Sequence, residues 1–68
     1  MRTIFYDFKD LFQENQIKEI FKVLKNKNDW SKNEEIQIDT MIGNYLISVM
    51  DLEKGFVHIR IEMIDSED

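Results

Sequence analysis

The sequence predicts an α+β fold, in which an N-terminal helical segment packs on one face of a three-stranded antiparallel β-meander and Met1 to Tyr6 are open to adding a short extra strand. Three observations carry this expectation. Apolar residues recur at helical spacing in the first third of the chain, they alternate with a period of two from Glu34 onward, and two glycines fall where hairpin turns are needed.

The first residues read in two ways. Ile4, Tyr6 and Phe8 alternate as in a strand, while Phe8, Leu11 and Phe12 share the i, i+3, i+4 spacing of a helix. Ile17, Ile20, Phe21 and Leu24 then form an i, i+3, i+4, i+7 stripe. At ~100° per residue that stripe lies opposite Phe8, Leu11 and Phe12, so a break is expected between Gln13 and Gln16, with Asn15 as the N-cap of the second piece. Lysines fill its last turns and complement the negative end of the helix dipole, and Asn26 to Asp29 should end it.

Past Glu34, Ile36, Ile38 and Ile42 alternate with Gln37, Asp39 and Met41. A two-residue turn at Gly43-Asn44 would pair Ile42 with Tyr45 and Ile38 with Val49. A second, three-residue turn at Glu53-Lys54-Gly55, with Gly55 at positive φ, would pair Leu52 with Phe56, Val49 with Ile59, Ile47 with Ile61 and Tyr45 with Met63. Both turns place the apolar residues on one face, which is how register is specified where one face is buried.

The same pairing puts Gln37, Met50 and His58 in one row of the second face and Asp39, Ser48 and Arg60 in another. Met41, Leu46 and Glu62 make a third row, with Leu52, Phe56 and Ile64 at the margins. This mixture of apolar and charged residues is unusual for a surface that only meets water. Two readings stand side by side: the N-terminal segment folds over this face through Ile4, Phe5 or Phe12, or the face is an interface with a partner or a second copy.

Sixty-eight residues suffice for one domain, read as 1–64, with 65–68 as a solvated acidic tail. A domain of this size buries only about 60% of the surface its unfolded chain exposes. With no cysteine and one histidine, neither a disulfide nor a Cys/His metal cluster supplements the core. The apolar runs are too short to cross a bilayer or to form a signal-peptide core, so a cytoplasmic location in a host cell is expected. Ten Ile, seven Lys and five Asn without Ala or Pro suggest AT-rich coding, as in a low-GC bacterium or its phages.

Chemistry is sparse. His58 lacks a carboxylate opposite it in the expected register, and Ser48 lacks a base, so general acid-base and nucleophilic catalysis have no constellation to work with. No spacing matches a calcium loop, a zinc site or a phosphate cradle, and no enzyme activity, metal or cofactor is expected.

The net charge is −5, but residues 16–32 hold five lysines against Glu19 and Asp29, so the molecule should be electrically two-sided. Lys18, Lys22 and Lys25 form an exposed helical stripe. It would be the route to a weaker third reading, direct nucleic-acid binding, which the overall charge opposes.

The leading functional expectation is a small acidic protein-binding module, an inhibitor of phage or mobile-element origin. It would block a basic, nucleic-acid-handling host protein by imitating nucleic acid. Its partner-binding carboxylates would be Glu34, Glu35, Asp39, Asp51, Glu53, Glu62, Asp65, Glu67 and Asp68. The alternative is a homodimer or larger homo-oligomer built through Met41, Leu46, Met50 and Phe56.

Overall fold

The computed structural model describes residues 2–64. Its elements run β1 (Thr3–Phe8), α1 (Glu14–Leu24), β2 (Glu35–Thr40), β3 (Gly43–Glu53) and β4 (Phe56–Met63). The strands form one mixed sheet in the order β1-β4-β3-β2, with β1 parallel to β4 and the other pairs antiparallel. The α+β class expected from the sequence is present. The meander gains a full-length fourth strand at its edge, and the helical segment is a single helix.

This topology decides what the helix covers. The chain leaves β1 at one edge of the sheet and enters β2 at the other, so α1 crosses a single face. Toward α1 the strands present Ile38, Tyr45, Ile47, Val49, Val57, Ile59 and Ile61, which are buried together with Ile20 and Leu24 of the helix and with Trp30. Each such aliphatic side chain removed from water contributes roughly 1.5–3 kcal/mol.

The segment after β1 is irregular, with a bend at Asp10, and the helical spacing of Phe8, Leu11 and Phe12 is a coincidence. Phe8 belongs to β1 and Leu11 is exposed, while the Phe12 ring packs against Phe8 and Tyr45. The helix is capped at Gln13 rather than Asn15. Gln13 is extended (φ −73°, ψ 157°), and its backbone N–H donates to the Gln16 side chain at 2.8 Å. The Gln16 amide donates in turn to the Ile42 carbonyl at 3.1 Å, so this buried polar residue ties the start of α1 to the β2–β3 turn. The expected buried stripe also loses Phe21 to the margin, where it meets the Tyr6 ring at 4.9 Å.

The β2–β3 turn falls at Met41-Ile42, two residues earlier than expected, and pairs Thr40 with Gly43, Ile38 with Tyr45 and Ile36 with Ile47. Gly43 is needed for space rather than for turning. A Cβ there would lie 2.7 Å from the Tyr45 hydroxyl oxygen and 2.9 Å from its ring. The turn is closed by Thr40, whose hydroxyl donates to the Gly43 carbonyl at 2.8 Å and accepts from the Ile42 N–H at 3.2 Å. The change from the expected register is an even number of residues, so the side chains of β2 from Glu35 to Thr40 keep their faces.

Between β3 and β4 the expected pairs from Tyr45–Met63 to Val49–Ile59 are present. Beyond them the register steps at a β-bulge that leaves Met50 without a partner, and Lys54-Gly55 makes a two-residue turn with Gly55 at φ +98°. Leu52 now faces Val57 and packs against the core instead of lying on the outer face, and Asp51 moves opposite His58.

Candidate protein-binding face

The face of the sheet away from α1 carries Thr3, Phe5 and Asp7 from β1, and Phe56, His58, Arg60 and Glu62 from β4. From β3 and β2 it carries Asn44, Leu46, Ser48, Asp51, Glu53, Glu35, Gln37 and Asp39. Among the described residues no element lies over it. The N-terminal segment does not cover it either: Ile4 belongs to the other side, Phe12 packs on Tyr45, and Phe5 stands at the edge, 53% exposed.

The surface has an apolar end inside an acidic field. Phe5 and Phe56 meet edge to face with ring centroids 5.5 Å apart, the arrangement favoured by the aromatic quadrupole. Around and beyond them stand Asp7, Glu35, Asp39, Asp51, Glu53 and Glu62, against one guanidinium, Arg60. Arg60 is committed. Its Nε donates to Asp7 at 3.3 Å, both groups being partly exposed, and the row across the strands reads Asp7, Arg60, Ser48, Glu35. Asp39 is not in the row expected for it with Ser48 and Arg60, because it sits opposite Asn44, where it accepts from Gln37 at 3.2 Å.

Five of the nine carboxylates anticipated for partner binding, Glu35, Asp39, Asp51, Glu53 and Glu62, share this face. Asp65, Glu67 and Asp68 lie outside the described residues. Glu34 is diverted. It precedes β2 and accepts from the Lys27 ammonium at 2.9 Å and from the Ser31 N–H at 2.9 Å. The hydrogen bond from Lys27, and then that from Ser31, hold its carboxyl below the ordinary value. Asp7 joins the face through the parallel β1–β4 pairing, for which alternation within β1 was the only available signal.

The four residues considered for self-association do not form one patch. Met41 is exposed in the β2–β3 turn, whereas Phe56 lies near the far end of β3, about 30 Å away at ~3.3 Å per residue. Leu46 is half-buried between Gln37 and Glu62, and Met50 projects from the bulge.

His58 stands between Phe5 and Asp51. The carboxylate opposite it corrects the sequence expectation, and the bulge at Met50 is the cause. Ser48 is diagonal to His58. None of the side-chain hydrogen bonds among the described residues involves Ser48, His58 or Asp51. No group of three or more His, Asp or Glu side chains among the described residues is placed to hold a metal ion, and no helix is long and apolar enough to cross a membrane.

No family model matches the chain, and comparison with curated proteins and with solved structures finds no match.

Proposed function

We propose that this protein is a binding module whose open sheet face docks onto a basic surface of a partner protein, in the manner of a nucleic-acid mimic. The observation that carries this reading is the segregation of charge. Six carboxylates share the uncovered face with a single guanidinium that is itself paired to Asp7, while Lys18 and Lys22 lie on the helix and Lys25 at its C-cap. A face of one sign steers a complementary partner and fixes its orientation.

The Phe5–Phe56 pair supplies a partly exposed apolar anchor within that field, as the buried centre of an interface requires. A hollow of about 280 Å³ bordered by Glu34, Glu35, Ser48 and Met50 would admit a lysine or arginine side chain from the partner. The natural target is a groove that otherwise holds phosphates, and the consequence for a nucleic-acid-handling partner is inhibition by competition. The reading is one of recognition rather than catalysis, because the face offers charge and shape without a coupled nucleophile and base.

The test is capture of partners on immobilised protein from a nuclease-treated lysate of a low-GC bacterium, followed by elution with a salt gradient. The expected result is a basic nucleic-acid-handling protein that is released as ionic strength rises and displaced by added duplex DNA. A captured partner indifferent to both salt and DNA contradicts mimicry.

A further inference from the structure

The opposite side of the molecule holds a groove of about 550 Å³ between the β1 edge, the C-terminal part of α1 and the loop after it. Its volume falls within the usual range for small-molecule sites. Three aromatic rings line it, those of Tyr6, Phe21 and Trp30. Tyr6 and Phe21 are 40% and 42% exposed and their ring centroids are 4.9 Å apart, tilted by 46°. Two half-bare rings side by side are a stacking surface for a third, because every planar base has a π-face to offer.

The charge of the lining is the second observation. In a chain of fourteen carboxylates and nine cations, the described residues around this groove include Arg2, Lys25 and Lys27 and no carboxylate. Lys27 is partly occupied, since it bonds Glu34 and lies 5.0 Å from the Trp30 ring centre. Arg2 and Lys25 take part in no salt bridge among the described residues. The negative end of α1 is nearby, but its carbonyls at Phe21, Val23 and Leu24 accept from the N–H groups of Lys25, Asn26 and Lys27, so few free acceptors remain to repel an anion. The Tyr6 phenol, which burial pushes still further above the neutral range, is a hydrogen-bond donor in the groove lining.

From these features we propose that the groove binds a single phosphorylated aromatic unit, a purine nucleoside monophosphate, with the base stacked on Tyr6 and Phe21 and the phosphate held by Arg2 and Lys25. A single unit fits the charge balance better than a strand. The local cations can offset one phosphate, whereas a longer polyanion would meet the repulsion of a chain whose net charge is −5.

Trp30 is the only tryptophan and lines the groove, so its fluorescence, excited at the red edge to avoid nucleotide absorption, reports occupancy directly. Guanosine and adenosine monophosphates should give saturable changes with a Kd of roughly 0.1 to 1 mM, as expected for one small ligand in an open groove. Adenosine alone and inorganic phosphate alone should bind more weakly than either nucleotide. R2A and K25A should each weaken nucleotide binding by roughly fivefold, the loss of one charge-assisted contact at a partly exposed site. K18A, on the same helix outside the groove, should leave it unchanged, and a thermal melt of each variant checks folding. No saturable change up to about 10 mM nucleotide would overturn the proposal, as would full affinity in the R2A/K25A double variant or binding only of longer single strands.

Discussion

On β4, Val57, Ile59 and Ile61 point toward α1 and are fully buried, whereas His58, Arg60 and Glu62, each one residue away, stand half-exposed on the other side. The same strands thus supply a hydrophobic face and a charged one, and residue parity alone separates them. The covered face holds the molecule together through aliphatic burial. Among the described residues the open face makes one salt bridge, between partly exposed groups, and such pairs contribute about 0–1 kcal/mol. Removing its charges should therefore change what the protein binds far more than whether it folds.

The largest expected effect breaks the comparison at neighbouring positions. Ile59→Ala leaves a cavity under α1 and should cost about 2–5 kcal/mol in denaturant unfolding, while His58→Ala should stay within about 0.5 kcal/mol. Equal losses at the two positions would mean that the open face is not free of structural duty.

A smaller effect sharpens the packing of the covered face. Gly43→Ala drives a methyl group into the Tyr45 ring and should cost about 1–3 kcal/mol. Among the described residues the buried Tyr45 hydroxyl has no hydrogen-bond partner, so Tyr45→Phe alone should be neutral or slightly stabilising, and it should recover part of the Gly43→Ala loss by removing the closest contact. A large loss on Tyr45→Phe would show that the hydroxyl has a partner in solution.

The smallest effect lies in the loop between α1 and β2. The Glu34 carboxyl is held below its ordinary 4.5, so its stabilising contribution is present above that pH and is lost as the pH falls through the lower folded value. Glu34→Gln should cost up to about 1 kcal/mol at neutral pH and flatten the acid limb of the stability curve below about pH 4.5. An unchanged acid limb would mean that the bond to Lys27 does not persist in water.

How much of this was legible in the sequence follows from range. Local periodicity located the helix and β2 to β4, and the period of two sorted the residues of β2, β4 and the first part of β3, up to Val49, onto the correct faces even though the first turn was misplaced by an even number of residues. The turn itself was misread because Gly43-Asn44 resembles a hairpin turn, whereas Gly43 is required beneath the Tyr45 ring, a contact no local pattern reveals. The bulge at Met50 was hidden for the same reason, and with it the approach of Asp51 to His58 and the turning of Leu52 into the core. The pairing of β1 with β4 joins residues 53 apart with no turn between them, so Asp7 and Phe5 could not be assigned to the open face in advance. Glu35, Asp39 and Glu62 were assigned to that face because parity is local, whereas Asp51 and Glu53 reach it only through the bulge, and Glu34 is drawn away by Lys27 across a loop.

The most direct test of the central claim compares charge reversals on the two sides of the molecule against one captured partner. Glu35→Lys, Asp51→Lys and Glu53→Lys combined should abolish capture and remove its salt dependence while the thermal melt stays close to that of the parent protein. Lys18→Glu and Lys22→Glu combined should leave capture intact. Retention of the same partner by the open-face variant, or its loss only from the helix variant, would contradict the assignment of the sheet face as the binding surface.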